Sequence, residues 1–167
     1  MTILIRRFIA DEWRIYRDVR LRALRDAPDA FGSTYAREAA FDDALWQDRL
    51  RTAALAENQL PLIAVQDDVP VGLAWGRQDD DAADVARVYQ VWVTPDARGL
   101  GVGRQLLQAI IDWARSRGVR RLELGVTPSH PAAVRLYRSA GFVDAGPAEP
   151  LRPASSIMSQ PMLLRLD

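Results

Sequence analysis

A glycine-rich turn between a β-prone run and an apolar-periodic helix constrains this chain more than any other feature. Residues 85–94 are dense in Val, Tyr and Trp, which suit a pleated surface, and Pro95 closes the run. The stretch Arg98-Gly-Leu-Gly101-Val-Gly103 follows, and then Leu106, Leu107, Ile110, Ile111 and Ala114 repeat at helical spacing until Gly118 supplies a stop. Alternate glycines let the backbone form a concave nest whose N–H groups converge, and a helix N-terminus adds unpaired donors and the positive end of its dipole. Such a turn suits a phosphate, with Arg98 and Arg104 flanking it to bond phosphate oxygens. The plain alternative is a glycine turn that only starts a helix. Two other phosphate loops are not met: a P-loop needs Gly-Lys-[Ser/Thr], whereas Arg104-Gln105 follow Gly103, and a dinucleotide fingerprint needs glycine or alanine where Leu106 stands.

The rest of the chain supplies a frame for that turn. Residues 2–9 read as a strand, and residues 11–27 as a helix capped by Asp11, with Ile15, Tyr16, Val19 and Ala23 on one stripe before Pro28 ends it. Asp42 or Asp43 caps a second helical region carrying Trp46, Leu50 and Ala53. Residues 60–66 and 69–76 form a hairpin through Asp67-Asp68, followed by an acidic turn, Asp79-Asp80-Asp81 with Asp84. Residues 121–126 read as a strand and 131–140 as a helix with Pro131 in its first turn and Gly141 past its end. Residues 142–145 and 158–166 close the pattern as a strand pair, and Pro147, Pro150 and Pro153 mark an irregular connection between them. These elements predict an α/β fold, a mixed sheet with helices on both faces. No repeat or linker divides the chain, so residues 1–167 are expected to form one domain.

Charge and composition remove several functions. Lys+Arg and Asp+Glu are equal at 22 each, so nothing favours nucleic acid as a partner. With no cysteine and one histidine, neither a thiolate nor a histidine-rich metal site is expected, and no metal is assigned. The start, Met1-Thr-Ile-Leu-Ile-Arg-Arg, splits its apolar residues with arginines, unlike a signal peptide, and no run approaches a membrane span. A cytoplasmic protein without a membrane partner is the expectation.

Two strings carry a family resemblance. Arg98-x-x-Gly101-x-Gly103, preceded by Val91-Trp-Val-Thr-Pro, resembles the acetyl-CoA pyrophosphate motif of the GNAT superfamily, written Q/R-x-x-G-x-G/A. His130-Pro-Ala-Ala133-Val-Arg-Leu136-Tyr137-Arg-Ser-Ala-Gly141-Phe142 is similar to its second signature, N-x-x-A-x-x-L-Y-x-x-x-G-F, in the right order and at the usual distance. The resemblance covers residues 85–143 in detail. It implies a GNAT fold, with a central, mixed, mostly antiparallel twisted sheet of about seven strands and helices on both faces. It also implies an acyl-CoA N-acyltransferase that uses acetyl-CoA as co-substrate.

Carried over residue by residue, the resemblance implies that Val91, Trp92 and Val93 line the pantetheine arm, with the N–H of Val93 or a neighbour as oxyanion donor. Arg98, Gly99, Leu100, Gly101, Val102, Gly103, Arg104 and Gln105 would surround the pyrophosphate. His130, Ala133 and Tyr137 would border the cofactor from the following helix, with Tyr137 facing the departing sulfur and Arg135 or Arg138 near the adenosine. His130 stands where the family has asparagine and cannot copy an amide's paired donor and acceptor. Adjacent Ser129 and His130 cannot act as nucleophile and base, so a hydrolase reading fails. The family glutamate that takes the amine's proton has no counterpart, since Arg87 and Val88 occupy its neighbourhood. A water route remains, with Asp84 or Glu123 as candidates.

The resemblance implies a primary amine of an unidentified small molecule or peptide as acceptor, bordered by residues 28–35, the face of Tyr89 to Val91 and residues 149–156, with Phe31, Tyr35 and Tyr89 as candidates to line its pocket. The acidic turn either attracts a cationic amine or is a solvated hairpin tip. An inactive CoA-binding regulatory module and an ADP-binding protein remain as alternatives, and a homodimer is compatible with the reading.

Overall fold

Asp67 and Asp68 both adopt left-handed backbone, with φ of 50° and 66°, as a two-residue hairpin turn requires. In the computed structural model, which describes residues 2–167, that turn sits within an eight-stranded sheet. Its strands are β1 (Ile3–Arg7), β2 (Gln59–Gln66), β3 (Val69–Gln78), β4 (Val85–Val93), β5 (Arg121–Val126), β6 (Val143–Asp144), β7 (Glu149–Pro150) and β8 (Met158–Arg165). The helices are α1 (Trp13–Asp26), α2 (Tyr35–Ala39), α3 (Asp43–Leu55), α4 (Val102–Ser116) and α5 (Pro131–Ser139). The order is β1-β2-β3-β4-β5-β8-β6, with β7 paired to β8. Every neighbouring pair is antiparallel except β4 with β5.

Helices cover both faces, as the sequence pattern implies. One core lies under α4 and α5, built on Leu106, Leu107, Ile110, Leu122 and Phe142. The other lies under α1 and α3 and is rich in aromatics, with Tyr16 5.7 Å from Trp46 and 5.2 Å from Trp75 between ring centroids. Burying a Leu or Ile of α4 stabilises by roughly 1.5–3 kcal/mol.

Two glycines of β3 fix how closely α4 approaches. A Cβ at Gly72 would stand 2.7 Å from the Trp92 carbonyl and 3.4 Å from Leu106 Cδ1; one at Gly76 would meet Trp113 Cζ3 at 2.9 Å and Ile110 Cγ2 at 3.2 Å. Four residues apart in a strand, they share one face. Their bare surface lets α4 lie against the sheet with its N-terminus beside the end of β4.

Four details differ from the sequence expectations. The first helix starts at Trp13, after Glu12 and not Asp11, and has no side-chain cap, because the Glu12 carboxylate is taken by Arg6, at 2.7 and 2.8 Å, and by the Ile9 amide. Ile15 is exposed, and the buried stripe runs through Tyr16, Val19, Arg20, Ala23 and Leu24. The short α2, capped by Thr34, has no apolar period long enough to read. Finally, the proline-marked connection contains β7, whose Pro150 pairs with Met158; an edge position tolerates the missing N–H. Asp42, by contrast, caps α3 as expected, accepting from the Leu45 amide at 2.8 Å.

Candidate active site

The parallel pairing of β4 with β5 covers only Val85, Ala86 and Arg87 opposite Arg121, Leu122 and Glu123. Beyond that point the two strands continue to Val93 and Val126 without pairing to each other, leaving a wedge between them. Its cause lies in β4. Gln90 has φ of 57°, and the register with β3 shifts so that Gln90 and Val91 together face the place of Ala74. A bulge of this kind bends the strand and increases its twist, which turns the end of β4 away from β5. The Gln90 side chain is held in place by the Tyr16 hydroxyl, which donates to Oε1 at 2.9 Å.

The bulged strand leaves one amide aimed into the wedge. Thr94 N donates to Val71 O at 2.8 Å, toward β3. Peptide direction alternates in an antiparallel ladder, so Val93 N–H points the other way, and its carbonyl accepts from Arg98 Nε at 3.0 Å. Val91 and Val93 pack toward the α4 face. Trp92 turns to the opposite core, its Nε1 donating to Asp26 Oδ2 at 2.9 Å. Of Trp92, then, only the backbone borders the wedge.

Gly99 and Gly101 both have φ of 81°, and Gly101 is the N-cap of α4 without a side-chain cap. Gln105 N makes the first helical bond, to Gly101 O at 3.0 Å, which leaves the amides of Val102, Gly103 and Arg104 as helix-start donors. A Cβ at Gly101 would meet open space, so glycine is required by the left-handed backbone, which costs another residue roughly 1–2 kcal/mol. Gly103 has a different reason: a Cβ there would stand 3.1 Å from Leu136 Cδ2, so its absence lets α5 close on α4. Arg104 is exposed and has no ion pair among the described residues. Arg98, expected beside the phosphate, carries an ion pair the sequence did not show. Its Nη2 lies 2.6 Å from Asp26 Oδ2, so its guanidinium braces the turn against α1. Burial would raise the Asp26 carboxyl, but the bonds from Trp92 and Arg98 outweigh it and hold it below the usual carboxylate range.

In the core that also holds Leu124 and Val126 of β5, Tyr137 on α5 is 7% exposed, with its ring centroid 5.9 Å from Phe142. Burial pushes its phenol far above the usual tyrosine range, and its hydroxyl has no hydrogen-bond partner among the described residues. Ala133 is half-buried one turn earlier. Thr127 Oγ1, just past β5, and His130 Nε2, at the N-cap of α5, are buried without partners. Each orphan costs about 1–3 kcal/mol. The open edge between β4 and β5 suits an amide-bearing arm, and the free helix-start amides of α4 suit its phosphates, so this backbone fits acetyl-CoA. The carboxylate candidates fit less well. Asp84 is exposed at the start of β4, about 30 Å along the strand from Val93 at ~3.3 Å per residue, and Glu123 lies between Arg121 at 3.3 Å and Arg87 at 3.5 Å. Arg138 pairs with Asp144 at 3.5 Å, and Arg135 is exposed.

A second cleft, of about 450 Å³, opens on the face of β4 that carries α1 to α3. Trp75 and Tyr89 stack along it with centroids 6.2 Å apart, and burial pushes the Tyr89 phenol to about 12. At its base Arg20 Nε and Nη2 donate to the two oxygens of Glu38 at 3.1 and 2.9 Å, and Arg49 Nη1 adds a bond at 3.2 Å. Burial would raise Glu38, yet these arginines hold it below the usual range. Phe31 is a core residue under the Arg20 guanidinium and Tyr35 stacks with Arg25, so of the three aromatics expected at the acceptor only Tyr89 lines the cleft. Arg152 ties the proline-marked connection to the turn before α2, donating to Phe31 O at 2.8 Å. The acidic turn is a hairpin tip satisfied locally, with Asp79 Oδ1 accepting from the amides of Asp81 and Ala82. Sequence reading missed the Arg20–Glu38 pair; its signal was an arginine in the middle of an apolar helical stripe.

The open α/β sheet with two parallel strands splayed beside a glycine-started helix is the fold of solved GNAT acetyltransferases. The chain belongs to the acetyltransferase (GNAT) family, whose model matches residues 19–142. It is 32% identical to the mycothiol acetyltransferase of Sanguibacter keddieii over 139 residues, covering 76% of this chain and 44% of that protein. It is 34% identical to the ribosomal protein bS18-alanine N-acetyltransferase of Salmonella typhimurium over 110 residues, covering 61% of this chain and 74% of that one. The chain thus spans less than half of the first relative and about three quarters of the second. In fold it matches the phosphinothricin acetyltransferase of Sinorhizobium meliloti solved with acetyl-CoA, with a TM-score of 0.81 at 19% identity, covering 99% of this chain and 89% of that one. No helix among the described residues is long and apolar enough to cross a membrane.

Proposed function

We propose that this protein transfers the acetyl group of acetyl-CoA directly to a primary amine of a small molecule or peptide. The observation that carries the reading is the wedge: an unpaired edge at Val91 to Val93 leads to left-handed Gly99 and Gly101 and the uncapped start of α4. Acetyl-CoA supplies the activated thioester. The Val93 amide stabilises negative charge developing on the thioester oxygen, an interaction whose loss elsewhere costs roughly 3 kcal/mol of barrier. The amides of Val102 to Arg104 take the pyrophosphate and Arg104 adds charge. Tyr137 donates its phenolic hydrogen bond to the leaving sulfur as charge builds there; burial pushes the phenol far above the usual tyrosine range, so it serves as a hydrogen-bond donor and not as the acid that protonates the sulfur.

An amine with a lysine-like pKa of about 10.4 is neutral in only about one molecule in two thousand at pH 7. Neither Asp84 nor Glu123 stands where it could take the proton directly, so water carries it out. No cysteine exists to carry the acetyl group, so transfer is direct and both substrates bind together. Initial rates measured with acetyl-CoA and amine varied together give intersecting lines on this account. Parallel lines, with an acetylated protein seen by mass spectrometry, would contradict direct transfer.

A further inference from the structure

We propose that the acceptor carries an oxyanion as well as its amine, in the manner of an amino acid, and that the arginines of the cleft beside β4 hold that oxyanion. The proposal rests on the acetyl-transfer reading and adds the substrate class.

The cleft is lined by Arg20, Arg37, Arg49 and Arg77 against only Glu38 and Asp48. Glu38 is shared: Oε1 serves both Arg20 and Arg49, and Oε2 serves Arg20. One carboxylate thus answers two guanidinium groups. Arg77 is balanced by Asp80 at 3.0 Å, outside the lining, while Arg37 has no ion pair among the described residues. Arg20 is 5% exposed and its Nη1 is buried, so it contributes charge to the base of the cleft, while the half-buried Arg49 and the exposed Arg37 are the guanidinium groups open to a ligand. A planar guanidinium favours a carboxylate or another oxyanion. The same excess charge disfavours a polycationic amine.

Size and position fit a small molecule. The cleft holds about 450 Å³, within the usual range for small ligands, and Trp75 and Tyr89 offer apolar faces beside the charged base. Tyr89 and Gln90 line it from β4, and the Val93 amide lies three residues further on, roughly 10 Å at the rise of a strand. One β-strand therefore joins the oxyanion cleft to the acetyl-transfer wedge, and a single short zwitterion can reach from one to the other.

The test is calorimetric titration of the CoA-saturated protein with the twenty L-amino acids, β-alanine and γ-aminobutyrate, their methyl esters, an alanine-terminated peptide amide and spermidine. At least one free acid should bind, its ester at least tenfold more weakly, and Arg49→Gln should remove tenfold or more of the acid's affinity while leaving the ester's nearly unchanged. Because Arg49 also touches Glu38, Arg37→Gln is the second variant: exposed and unpaired, it should fold normally and weaken acid binding about threefold or more. Esters, the peptide amide or spermidine binding as well as the acids, no acid binding, or unchanged acid affinity in both folded variants would each overturn the proposal. Acetylated product is followed separately by mass spectrometry, so acid binding without transfer would strike the acetyl-transfer reading and leave the oxyanion site standing.

Discussion

The two sides of β4 are built from different materials. On the proposed donor side the site is mostly backbone: the wedge after Arg87, the left-handed glycines and the bare start of α4 lie within residues 85–105. On the proposed acceptor side it is mostly side chain, gathered from α1, α2, α3, β2, β3 and β4. A backbone site recognises what every acyl-CoA shares and is written in a short local pattern. A side-chain site can change its ligand through a few substitutions without disturbing the sheet, so the two halves should fail in different ways when altered.

The largest effect should come from the acceptor side and be structural. Glu38→Gln leaves two guanidinium groups without their carboxylate, and breaking such a buried pair costs about 3–5 kcal/mol. For a domain of this size that lowers Tm by roughly 6–20 °C. The Glu38 carboxyl is held below its ordinary range in the folded protein, so its stabilisation is complete above about pH 4.5 and is lost as pH falls through the folded value. Melting followed by circular dichroism should therefore show wild type and variant converging in acid, and a gap independent of pH would remove the ion pair from the account. At 20 °C the folded variant should keep its acetyl-CoA affinity within about threefold.

Tyr137→Phe keeps the ring and deletes the hydroxyl. Here kcat should fall roughly 10²-fold, with Tm and acetyl-CoA affinity nearly constant. Lost stability with unchanged kcat would instead make Tyr137 a packing residue. Gly101→Val should weaken acetyl-CoA binding at least tenfold by calorimetry in a folded protein, because φ of 81° is strained for a β-branched residue although the space is open. Unchanged affinity would remove the nest from the donor site. Smallest is Asp26→Asn, which loosens the exposed Arg98 brace; pairs of this kind contribute at most about 1 kcal/mol, so kcat/KM for acetyl-CoA should change less than about fivefold.

How far the sequence could be read follows the same division. The glycine turn, the helix carrying Leu106 to Ala114 and the strand at 121–126 were legible because each is encoded by neighbours in the chain. The Asp67-Asp68 hairpin was legible because few residues tolerate left-handed backbone. Gln90 was not, since its bulge is imposed by pairing with β3 and by the Tyr16 hydroxyl, 74 residues away in sequence. The Arg98 pair with Asp26 was not legible, because its partner lies 72 residues away in sequence. Arg20 and Glu38 were invisible as a pair because nothing local couples a helix stripe to a five-residue helix 18 positions later.

The claim that most needs testing is that the wedge and the glycine turn together form one acetyl-CoA site. Calorimetric titration of the unaltered protein with acetyl-CoA and, separately, with 3′-phospho-ADP separates the two parts, since that nucleotide fragment lacks only the acylated arm. If the pantetheine arm lies along the unpaired edge from Val91 to Val93, acetyl-CoA should bind at least tenfold more tightly than 3′-phospho-ADP. Equal affinities would mean that the wedge contributes nothing, and would make the turn a nucleotide site instead.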